Sequence, residues 1–284
     1  MKEHYIDFER ERDFGQIFND TFAFLKQEYK RLGRVLIFYI IPLLTITAIF
    51  STLLQYRNQT GIFSQDPQFF LGNNMTMILI NLLVSLVAQS IMASGIYGYI
   101  SLYVEKGRNG FSPSDVWNKF TRVFLPVIFT SIIVSLIVVA GTLLFIIPGI
   151  YLAVSLSIIL LIVVHEQDSL GYSLTRSFDL TRIQWWWTFL LIIVVYVLAI
   201  ILIYILAIPT SVITDIYGIS TITSASVPER IKITLVILNV LTNILGTVLY
   251  VIPYTALSFQ YFNLAKKKEG PSAMDKIDEI NEDE

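Results

Sequence analysis

Polar and apolar positions alternate along this chain in long blocks. Between Arg34 and Lys266 at least five long stretches contain no Asp, Glu, Lys, Arg or His. A bilayer core of about 30 Å takes about 20 apolar residues per helix. On that length scale the pattern predicts spans at 35–55, 75–104, 123–147, 150–165, 185–207 and 232–262. The fourth is short and draws on the apolar residues around Pro148. The second and sixth are long enough to tilt or to extend past the hydrocarbon.

A different period precedes the spans. In 13–32, Phe14, Ile17, Phe18, Thr21, Phe22, Leu25, Tyr29 and Leu32 follow helical spacing, with Asp13 as N-cap. Gln16, Asn19, Lys26, Lys30 and Arg31 lie off that stripe, which suits a helix in the bilayer interface. Ser112-Pro113-Ser114-Asp115 has the form of an N-cap, a proline at N1 and an acid at N3, before Trp117, Phe120, Val123 and Phe124. Asp168-Ser169 starts a third such segment, with Leu170, Leu174, Ser177, Phe178 and Thr181 on one face. Each segment leads into an outgoing span followed by a returning one. The fold class expected is therefore all-α: a polytopic membrane protein of six spans in three hairpins (35–104, 123–165 and 185–262), each introduced by an amphipathic helix. The middle hairpin is expected to turn at Ile147-Pro148-Gly149.

Composition sharpens the picture. The chain is 55% apolar and 15% charged, against about a quarter charged for soluble domains. The net charge of −2 conceals an asymmetry: with six spans and the N-terminus inside, 17 of the 20 Lys and Arg fall on inner segments, leaving only Arg57, Arg230 and Lys232 outside. This positive-inside bias orients both termini to the cytoplasm of a bacterial inner membrane. The organisation expected is an N-terminal segment 1–32 with its amphipathic helix, a membrane domain 33–265 and an acidic, disordered tail 266–284. The partner expected from composition is the lipid bilayer, with a membrane or cytoplasmic protein partner also possible; nothing marks nucleic acid.

The chemistry on offer is sparse. Zero cysteines exclude disulfides and thiolate chemistry, and His4 and His165 stand far apart. No metal-ligand spacing, nucleophile elbow or phosphate-cradling glycine loop occurs, so neither a cofactor nor a metal is expected. Uncharged span interiors argue against proton relays and ion-coupled transport. Two polar stripes remain: Asn81, Ser85 and Gln89 in the second span, and Asn239, Thr242 and Asn243 in the sixth. They fit either interhelical hydrogen bonding or the wall of a polar cavity. Glu166 at the end of the fourth span is placed to pair with Arg176. A catalytic reading would need His165, Glu166 and Arg176 to converge with a further partner.

Ile147-Pro148-Gly149-Ile150, Glu166, Ser169-Leu170, Arg176-Ser177, Leu180-Thr181 and Trp185-Trp186-Trp187 together resemble a bacterial family of six-span proteins. That family includes the membrane domain fused to some glycerophosphodiester phosphodiesterases and many stand-alone relatives. The likeness is clearest over 145–190. It implies the fold and a membrane location. It does not carry over the phosphodiesterase activity, which belongs to a separate soluble barrel. The function expected is non-enzymatic, a membrane scaffold or accessory subunit, with a carrier for a lipid-like or amphipathic substrate as the alternative.

Overall fold

The computed structural model describes residues 6–61, 67–216 and 228–270. Most of the tail, 271–284, lies outside the described residues, as do 62–66 and 217–227. Regular structure among the described residues is helical throughout. Six helical stretches are long and apolar enough to cross a membrane: Phe14–Leu54, Met75–Lys106, Pro113–Leu144, Ile146–His165, Leu170–Ile216 and Glu229–Glu269. The chain is thus a multi-pass membrane protein. Its outward faces agree: Leu125, Phe129, Leu136 and Leu143 of one helix are all more than half exposed, a stripe suited to hydrocarbon and costly in water.

The helices are α1 (Phe14–Val35), α2 (Ile41–Gly61), α3 (Pro67–Lys106), α4 (Pro113–Leu144), α5 (Ile146–Ser155), α6 (Ile159–His165), α7 (Leu170–Thr181), α8 (Trp185–Ile216), α9 (Glu229–Leu249) and α10 (Val251–Glu269). They fall into two compact units. The first takes the described residues of 1–33, 93–196 and 252–284; the second takes those of 34–92 and 197–251.

Several junctions differ from the sequence expectation. The segment 13–32 is helical as α1, and it runs on into α2 through a π-helical turn, Leu36–Ile40. Pro42 has no N–H to give Phe38, and the Ile41 amide reaches back five residues to Leu36 O. The middle reversal comes at Phe145, whose backbone is extended, and Pro148-Gly149 lie in the first turn of α5, where a missing proline N–H costs no helical bond. Gly149 is required for another reason: a Cβ there would lie 2.1 Å from Thr142 Oγ1 and 2.7 Å from Thr142 Cα. α4 and α5 can touch only through hydrogen at that point.

The fourth span is broken at 156–158, and the carbonyl freed at Ser155 accepts the hydroxyls of Ser177 (2.7 Å) and Thr181 (3.3 Å). An unpaired carbonyl in hydrocarbon would be strongly unfavourable, so these two hydroxyls permit the break. They also show that α7 packs along protein rather than lying free on a lipid surface. Gln167, with φ 54°, turns the chain between α6 and α7. The sixth stretch divides at Tyr250, and α10 runs to Glu269, so Lys266, Lys267 and Lys268 belong to a helix rather than to the tail.

In the first unit α3 and α10 supply the centre: Ser94, Ile96, Tyr97, Tyr99, Ile100 and Tyr103 are buried, as are Thr255, Leu257, Phe259, Gln260 and Phe262. α1 buries Ile17, Thr21, Phe24, Glu28 and Leu32, whereas Phe22 and Tyr29 from the expected stripe are exposed. The residues ahead of α1 are pinned. Phe8 is fully buried, stacked on Phe259 at 4.1 Å with edges of Phe24, Tyr103 and Phe262 around it. In the second unit Leu235 is fully buried against Ile213 and Ile231.

Candidate functional site

The second unit brings the two polar stripes to one cleft. Asn81, Ser85 and Gln89 of α3 line it with Asn243 and Thr247 of α9, and α2 adds Thr47 and Ser51. Asn239 and Thr242 are not on its wall. The donors are mostly engaged within their own helices. Asn81 Nδ2 donates to Met77 O, Asn239 Nδ2 to Leu235 O, and Asn243 Nδ2 to Asn239 O, all at 2.8–2.9 Å. Thr47, Ser51 and Thr247 donate backward along their helices in the same way. The amide oxygens of Asn81 and Asn243 are left as acceptors. The cleft encloses about 140 Å³, room for roughly four or five waters at about 30 Å³ each. Sites for small organic ligands start near 300 Å³, so as it stands the cleft is a narrow polar seam.

The first unit gathers ionisable groups in three clusters. Glu28, fully buried on α1, accepts from Tyr99 Oη at 2.6 Å and from Arg108 Nε at 2.7 Å. Arg31 donates to the backbone carbonyl of Arg108, which fastens the same turn to α1. Ser101 Oγ donates to Glu105 Oε1 at 2.7 Å and sits 3.0 Å from His165 Nδ1, while Lys119 Nζ pairs with Glu105 at 3.1 Å. Glu166 meets Arg176 Nε at 3.3 Å and accepts from Tyr261 Oη at 2.6 Å; Arg176 also reaches Glu269. Lys268 and Asp179 add a pair at 3.0 Å.

A fourth anchor precedes α1. The Arg12 side chain is inaccessible, pairs with Asp20 at 2.8 Å, donates to Phe8 O at 2.9 Å and lies over the Phe259 ring. Burial pushes its pKa down and Asp20 pushes back; the guanidinium stays charged.

The Ser101–His165–Glu105 contact has the residue types of a hydrolytic triad without its arrangement. A triad places the acid on the ring nitrogen opposite the serine, to orient the imidazole. Here Glu105 bonds the serine itself and lies 3.8 Å from the same Nδ1. Ser101 is wholly buried, so no substrate reaches it. His165, Glu166 and Arg176 do not form one centre either, since His165 joins the Glu105 cluster and Glu166 the Arg176 cluster. Among the described residues no group of three or more His, Cys, Asp and Glu is arranged to hold a metal.

No family model, curated protein or solved structure matches this chain. Its function is therefore argued from its own residues.

Sequence reasoning missed Glu28, Arg12 and the Glu105–Lys119 pair. For Glu28 a signal existed: counting from Ile17 by four, three, four and four places Thr21, Phe24, Glu28 and Leu32 on one face. A carboxylate inside an otherwise apolar stripe calls for a cation elsewhere in the fold.

Proposed function

We propose that the protein is a non-enzymatic scaffold or accessory subunit of the bacterial inner membrane, with both termini in the cytoplasm. Three hairpins, each led by an amphipathic segment, would present a fixed cytoplasmic surface to a membrane or cytoplasmic protein partner. The observation that carries this reading is the use of the ionisable side chains in the first unit. Glu105–Lys119 and Glu166–Arg176–Glu269 tie different helices together, and Glu28–Arg108 ties α1 to the turn that follows α3. Groups fixed in this way hold a shape, and they are poorly suited to acid–base turnover, which needs a group within reach of substrate. The basic inner segments and the resemblance over 145–190 support the orientation and location.

A specific observation keeps the carrier alternative in view: Asn81, Gln89 and Asn243 do share a polar cleft. The two readings separate on extraction of the full chain directly into native nanodiscs followed by mass spectrometry. A scaffold is expected to bring a protein at fixed stoichiometry, unchanged in Asn81→Leu and Asn243→Leu. No stoichiometric protein, together with one ligand class lost in both variants, would overturn the scaffold reading in favour of the carrier.

A further inference from the structure

In the first unit a groove of about 700 Å³ lies at the start of α1, within the range of small-ligand sites. Its wall is mixed in a particular way. Phe14, Trp187 and Leu191 supply an apolar side, with the Phe14 and Trp187 rings 6.2 Å apart. The floor is amide: Gln260 and Asn263, each 1% exposed. Gln260 Nε2 donates to Thr188 Oγ1 at 2.8 Å and Asn263 Oδ1 accepts the Arg12 amide at 2.9 Å. That last bond, with the seating of Phe8, fixes where Glu11 and Asp13 stand.

The charges on the rim are of both signs. Lys267 lines the groove from α10 and makes no ion pair among the described residues, unlike its neighbour Lys268, which is paired with Asp179. Glu11 lies opposite in type, an exposed carboxylate with no partner among the described residues. Asp13 caps α1 by accepting the Gln16 amide at 2.7 Å, and the first N–H groups of α1 beyond that bond have no intrahelical acceptor. The start of α1 is thus already held by its own carboxylate, and it is the free Lys267 ammonium that favours a phosphate, while the free Glu11 carboxylate favours an N–H cation. The apolar side, with tryptophan, is of the kind found at the headgroup level of a bilayer.

We infer that this groove binds one zwitterionic phospholipid carrying a primary amine, with the phosphodiester toward Lys267 and the ammonium toward Glu11. Such a headgroup has the two charges in the required order of type, and its N–H donors can form charge-assisted bonds to a carboxylate. An anionic glycerol headgroup lacks the cation, and a choline headgroup lacks the N–H donors. The inference deepens the scaffold reading and rests on it for placing this end at the inner leaflet. Its test, however, reads lipid and not protein, so either can fail alone.

Purified full-length protein, stripped of lipid in detergent, would be titrated with phosphatidylethanolamine, phosphatidylglycerol or phosphatidylcholine and followed by native mass spectrometry. One phosphatidylethanolamine per chain is expected to be retained about tenfold more strongly than either other lipid. Lys267→Ala and Glu11→Gln should each weaken that retention about tenfold, and Lys268→Ala should leave it unchanged. Equal or stronger retention of phosphatidylglycerol or phosphatidylcholine would overturn the assignment. So would phosphatidylethanolamine binding that neither groove variant alters. Among the described residues Lys267 and Glu11 make no ion pair, so their variants should keep the wild-type melting temperature, and loss of binding is then a property of the groove.

Discussion

Arg108→Met should lower the melting temperature of the purified protein by on the order of 10 °C. Glu28 is completely buried on α1, and its two oxygens are matched to one cation and one phenol, Arg108 at 2.7 Å and Tyr99 at 2.6 Å. Methionine keeps much of the arginine stem's bulk and removes the guanidinium with its charge and donors. The carboxylate is then left buried without its counter-ion, a change that costs about 3–5 kcal/mol, and each kcal/mol lowers the midpoint of a chain this size by about 2–4 °C. The double variant Glu28→Gln with Arg108→Met is expected to recover most of the loss, because neither partner then leaves an isolated charge. Thermal unfolding in detergent, followed by tryptophan fluorescence, measures both. A double variant as unstable as Arg108→Met alone would mean that Arg108 acts through something other than Glu28.

The second large effect concerns the segment before α1. Phe8→Ala removes a ring held by Phe259, Phe24, Tyr103 and Phe262, and truncation of a buried phenylalanine costs about 3–5 kcal/mol. Few other apolar groups hold 6–13, so the cost should appear there as local release rather than global unfolding. The readout is trypsin cleavage after Arg10 and Arg12. In the native chain the Arg12 side chain is inaccessible, and cleavage there should be slow. In Phe8→Ala it should rise at least tenfold, while the rest of the chain stays resistant. Unchanged cleavage would show that the Arg12–Asp20 pair and the Asn263 bond hold the segment without the ring.

These two cases mark what the sequence discloses and what it leaves hidden. The spans are legible because a bilayer demands a run of apolar residues, and 123–147 or 185–207 can satisfy that demand in no other way. The start of α4 is legible because a cap is local: Ser112 and Asp115 bond each other's backbone three residues apart. The pair Glu166–Arg176 lies within one turn-and-helix unit and is equally readable. Glu28 is different. Its partners Tyr99 and Arg108 are 71 and 80 residues away, and no local period signals them. The aromatic weight of Phe18 and Phe22 also drew the apolar face of α1 one stripe off the buried one. The breaks at 156–158 and 36–40 depend on what satisfies the freed backbone, Ser177 and Thr181 in the first case, and that is a tertiary fact. For the polar stripes, residue type singles out Asn81 and Asn243, and both line the cleft. Only the packing decides which members face it, and Asn239 and Thr242 do not.

The proposed orientation has the chain crossing the membrane six times, with both termini and the turn after α3 in the cytoplasm. The absence of cysteine makes this directly measurable. Single-cysteine variants at Ile62, Ser220 and Asn109 would be exposed, in intact cells, to a thiol reagent that does not cross the membrane. Asn109 is preferred to its neighbour Gly110, where a Cβ would lie 2.0 Å from Lys106 O. Labelling is expected at 62 and 220, and at 109 only after the membrane is opened. Labelling of 109 in intact cells, with 62 and 220 protected, would contradict it.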